Sequence, residues 1–146
     1  MDDARDVLSL RRCILWAFLF AAAFLCRTAL DWLRPVADFH NRASASTAIG
    51  MAILFLAGFV ESFRTKSLRS GVIAAVSVTA FAAPLEIFGA GALLAVRHDA
   101  ATMAAIQASG GLGEVFTMPL LLLAAGLVLG GIGGLAGWMA NSLRTA

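Results

Sequence analysis

The chain has 146 residues, room for one domain, and 60% of them are apolar before its 14 glycines are counted. Charged residues make up 14%, against about 25% in soluble domains. These figures exclude a soluble globular domain, a disordered chain and a coiled coil, and the net charge of +2, scattered at the ends of apolar runs, excludes nucleic acid as a partner.

Four apolar stretches are long enough for a bilayer core, which takes about 20 helical residues. The first runs over Cys13–Leu33. Apolar character resumes after Arg27, so this stretch is expected to stay in the chain as a helix rather than be removed as a signal. Cys13 and Cys26 on one helix stand roughly 20 Å apart, too far for a disulfide. Arg27 and Asp31, at i and i+4, are expected to pair on one helix face. Arg27 has a second candidate role as counter-ion to Glu86. The link Arg34–Arg42 contains Pro35.

The second stretch is Ala43–Phe63, with Glu61 at its end close to Arg64. That pair is expected to be a solvated one at the interface. A tight basic turn, Thr65–Ser70, leads to the third stretch, Gly71–Val96. Here Glu86 has 15 residues of its stretch before it and 10 after, which sets it about 4 Å from the midpoint. A bare carboxylate at that depth is costly, so Glu86 is expected to be protonated and turned away from lipid. Its helical neighbours Thr79, Ala82, Ala83, Gly89 and Ala90 are small. Glu86, Thr79 and Arg27 therefore form a candidate ion or proton site. Pro84 cannot donate to the carbonyl of Ala80, so a kink is expected there, with Ser77 or Thr79 helping the freed carbonyl.

The longest link is Arg97–Glu114. Asp99 is expected to cap a short helix over Ala100–Ser109, ended by Gly110 and Gly111 and lying on the outer surface. His40 and His98, with Asp38, Asp99 and Glu114, fall in the outer links without metal-ligand spacing; no metal and no cofactor are expected. The fourth stretch, Val115–Ala140, carries two GxxxG steps at Gly126, Gly130 and Gly134, and a second register at Gly133 and Gly137. Such spacing lets membrane helices approach closely, within the chain or between subunits.

Basic residues divide seven to three between the two sides: Arg5, Arg11, Arg12, Arg64, Lys66, Arg69 and Arg144 against Arg34, Arg42 and Arg97. Both termini are therefore expected in the cytoplasm. Trp16, Trp32 and Trp138 fall where interfacial belts are expected. All basic residues but Lys66 are Arg, which with the Ala and Gly content points to a GC-rich bacterial source and an inner-membrane location.

The expected fold is all-α: an integral membrane four-helix bundle, up-down-up-down. No catalytic constellation appears. The leading expectation is a non-enzymatic accessory or oligomer-forming subunit acting through helix packing, with the lipid bilayer and a second copy or a larger membrane complex as partners. The alternative is a small proton- or cation-coupled transporter or channel using Glu86.

Overall fold

The computed structural model describes residues 2–34, 36 and 38–144. Pro35 and the side chains of Arg5, Glu114 and Arg144 lie outside the described residues. The described chain is all-helical: α1 (Asp2–Leu33), α2 (His40–Thr65), α3 (Leu68–Val96), α4 (Ala100–Ala108) and α5 (Gly111–Arg144).

Four of these helices are long and apolar enough to cross a membrane, through Leu10–Leu33, His40–Thr65, Leu68–Val96 and Leu120–Leu143. This points to a multi-pass membrane protein. The fourth apolar segment lies within α5, which starts at Gly111. Large apolar side chains such as Leu15, Phe18, Phe88, Leu121 and Leu127 are exposed, as lipid-facing residues are.

Helices α2 and α3 form the centre. Each packs against the other, against α1 and against α5, while the backbones of α1 and α5 stay apart among the described residues. The turn between α2 and α3 is only Lys66 and Ser67, with Lys66 left-handed at φ 58°. One apolar core holds Ala17, Phe20 and Phe24 of α1, Leu54 and Ala57 of α2, and Val78 and Ala82 of α3. The rings of Phe20 and Phe24 lie 4.9 Å apart, over Gly50, where only a hydrogen leaves them room.

The glycines of α5 serve two faces. Gly126, Gly130 and Gly134 lie against α3, at Thr79, Ala75 and Leu68 respectively. Gly133 and Gly137 lie against the backbone carbonyls of Phe55 and Phe59 on α2. Gly58 of α2 and Gly71 of α3 complete the contact. A methyl group at Gly58 would stand 2.8 Å from the Gly130 carbonyl oxygen, and one at Gly71 would stand 2.6 Å from that of Gly58. Close backbone approach supplies the dispersion contact that holds helices together in lipid.

Helix α3 runs through Pro84 without a break. The Thr79 hydroxyl donates to the carbonyls of Val76, at 2.9 Å, and Ala75, at 3.5 Å, so it turns back along its own helix rather than toward Ala80. Short α4 is capped by Asp99, which accepts from the Thr102 amide at 2.9 Å and the Thr102 hydroxyl at 3.2 Å. Its Ile106 is buried with Trp32 of α1 and Ala90 of α3. Trp32 is thus buried within the bundle, where α4 folds back and covers it. Gly110 and Gly111, at φ 120° and 77°, make the reversal into α5.

Candidate functional site

At one end of the bundle α1, α3, α4 and the start of α5 line a partly open cavity of about 60 Å³. Helical periodicity explains which side chains reach it. On α1, Phe24, Arg27, Thr28 and Asp31 share one face at three- and four-residue steps, with Leu25 and Trp32 beside them. On α3, Glu86 and Ala90 are one turn apart. Ser109 closes the cavity from the end of α4, and Gly111 and Met118, two turns apart, from α5.

Glu86 is 8% exposed, and its Oε1 is buried without a hydrogen bond among the described residues. A buried polar atom left in this way carries a cost of about 1–3 kcal/mol unless a ligand or water meets it. Glu86 is also one of the residues lining the cavity, which has room for a few water-sized groups. The carboxyl is turned into the protein.

Asp31 is 2% exposed and held from two sides. Arg27 donates from Nε to Oδ2 at 3.2 Å, and Arg42 from Nη1 to Oδ1 at 3.3 Å. Arg42, at the start of α2, also donates to the carbonyls of Leu30 and Arg34, each at 2.9 Å, and so satisfies the C-terminal end of α1. Two cations thus compensate one buried carboxylate, the condition under which such burial is tolerated.

Arg27 and Glu86 line the same cavity, while the Arg27 side chain bonds Asp31. Thr79, in contrast, does not join them. It sits two turns from Glu86, buried against Gly126 of α5. The hydroxyl-bearing residues that do line the cavity are Thr28 and Ser109, from α1 and α4. Spacing along α3 alone gives no access to them, because other helices supply them.

The second polar cluster corrects the reading of Glu61. Glu61 is buried, not solvated, and its partner is Arg12 of α1 rather than Arg64. The face of α2 that carries Glu61 also carries Leu54, Ala57 and Gly58, three buried residues at helical spacing, so the side chain is carried inward with them. That apolar spacing is the signal in the sequence that marks Glu61 as interior. Next to it, Ser62 is fully buried, with no hydrogen bond from its hydroxyl among the described residues.

Among the described residues no three of His, Cys, Asp and Glu converge to hold a metal ion. The His40 amide donates to Asp38 at 2.8 Å, which closes the turn into α2. Comparison with protein-family models, with curated proteins and with solved structures finds no match.

Proposed function

We propose that this chain is a small proton- or cation-coupled transporter or channel, with Glu86 as the group that takes the proton or cation. One observation carries the reading: Glu86 is buried, its Oε1 has no partner among the described residues, and it lines a cavity that also carries Arg27, Asp31, Thr28 and Ser109. An ionisable group inside an apolar span is costly, and a polar cavity around it is what ion and proton pathways use. In this reading the bundle is up-down-up-down, with both termini on the cytoplasmic side of a bacterial inner membrane, as the basic residues favour. The cavity then opens toward the outer side.

The other reading, a non-enzymatic accessory or oligomer-forming subunit, loses its main support. The glycines of α5 on which it rested are occupied by α2 and α3 of the same chain. An assembly would have to use the leucine-rich faces instead.

The test is flux in proteoliposomes. Wild-type protein is expected to pass protons or a monovalent cation down an imposed gradient, and Glu86→Gln to remain folded and stop it. Equal flux from both proteins would sink the proposal, as would no flux from the wild type under any proton or cation gradient. Reporter fusions at residues 1 and 146 test the orientation, and an external signal from either would overturn it.

A further inference from the structure

We infer that the cavity takes a compact organic ammonium ion, with its nitrogen at Glu86 and its alkyl groups against Phe24, Trp32 and Met118. This deepens the proposed function by naming the class of cation, and it rests on Glu86 being a cation site.

Size sets the first limit. A cavity of about 60 Å³ holds a few water-sized groups. Drug-sized ligands need roughly 300–1,000 Å³. Methylammonium and its close relatives fit that limit.

Charge sets the second. The described charged groups lining the cavity are Arg27, Asp31 and Glu86. Asp31 is bonded by Arg27, so the carboxyl with an oxygen lacking a partner among the described residues is that of Glu86. A cation entering the cavity meets Glu86, while Arg27 and Arg42 are both bonded to Asp31.

The remaining lining separates organic from inorganic cations. Hard metal cations take about six or more oxygen ligands. Apart from Arg27 and the Asp31 that it holds, the cavity presents Glu86 and the hydroxyl-bearing Thr28 and Ser109, and the Ser109 hydroxyl already donates to the Ile106 carbonyl at 3.1 Å. The remaining side chains are aromatic, aliphatic or thioether, from Phe24, Trp32, Leu25, Ala90 and Met118, with the backbone of Gly111 beside them. Such a wall supplies fewer side-chain oxygens than those cations take. It does suit alkyl groups, and aromatic faces attract ammonium ions.

Trp32 lines the cavity and reports on it directly. With Trp16 and Trp138 changed to Phe, Trp32 is the sole tryptophan of the full-length chain. Its fluorescence in detergent micelles is titrated with methylammonium chloride, and with sodium chloride at matched ionic strength. Methylammonium is expected to give a saturable change that sodium does not. Glu86→Gln, checked for fold by circular dichroism, is expected to weaken that binding roughly tenfold or more, as the loss of a bond to a charged group does. A parallel arm needs no variant. Carbodiimide labelling of Glu86 in the wild type, read by mass spectrometry, is expected to be blocked by methylammonium and not by sodium. Equal blocking by both ions overturns the organic-ammonium inference and leaves Glu86 as a cation site. Labelling blocked by neither, with no change at Trp32, overturns both.

Discussion

Arg12 of α1 donates from Nη2 to both carboxylate oxygens of Glu61 on α2, at 3.4 and 3.2 Å. Glu61 is buried and Arg12 is only partly covered, so the pair ties α1 to α2 at a place where neither charge is fully free in solvent. Removing either side chain breaks this link between the two helices.

Arg12→Ala and Glu61→Ala are each expected to lower stability in micelles by about 1–3 kcal/mol, through loss of this partly buried charged hydrogen bond. Replacing both together, as Arg12→Met with Glu61→Leu, is expected to cost less than either single change. Thermal unfolding of the four proteins checks this. A double variant less stable than both singles would show that the pair is not the relevant contact.

The glycine contacts predict a graded series on α5. Gly133→Ala and Gly137→Ala drive a methyl group into the backbone carbonyls of Phe55 and Phe59, which cannot move aside as a side chain end can. Each is expected to cost about 1–3 kcal/mol, the usual range for overpacking. Gly131→Ala, in the same helix with nothing within 4 Å, is expected to be neutral or slightly stabilising. Melting temperatures that fall equally for all three would mean that helix–helix contact is not what the glycines protect.

Arg42 caps the end of α1 and shares Asp31 with Arg27. Arg42→Ala is expected to cost about 1–2 kcal/mol and to speed amide exchange near the link between α1 and α2. All three bonds leave one nitrogen, Nη1, so Arg42→Lys, with three N–H donors on a single atom, should recover much of the loss. No recovery with Lys would show that the planar guanidinium itself is required.

The cap of α4 has a pH signature. The Thr102 amide, and then its hydroxyl, hold the Asp99 carboxyl below the usual aspartate value of 3.8. A carboxyl depressed in the folded state stabilises it above the ordinary aspartate range and loses that contribution as pH falls through the depressed value. Protection of the first turn of α4 is therefore expected to hold from neutral pH down to the ordinary range and to fade below it. Asp99→Asn still caps and should remove the pH dependence. Amide exchange at Thr102 across this acid range is the measurement, and a wild type that loses protection above pH 4 contradicts the cap.

The amino-acid sequence by itself determined the helical class, the four long apolar segments and the capped helix after Asp99. Those features follow from chain-local quantities: apolar run length against bilayer thickness, and a cap residue one position before its helix. It also marked Glu86 and the Arg27–Asp31 pair, because a charge inside an apolar run and an i, i+4 spacing need no partner helix to be seen. Only the tertiary structure decided where those groups meet. It brought Thr28 and Ser109 to the Glu86 cavity and left Thr79 against Gly126. It joined Glu61 to Arg12 rather than Arg64, and buried Trp32 beneath α4. It also spent both glycine registers of α5 inside the chain. Each of these depends on how one helix is rotated against another. The packing of small residues across α2, α3 and α5 sets those rotations, and a periodicity read along one helix cannot supply them.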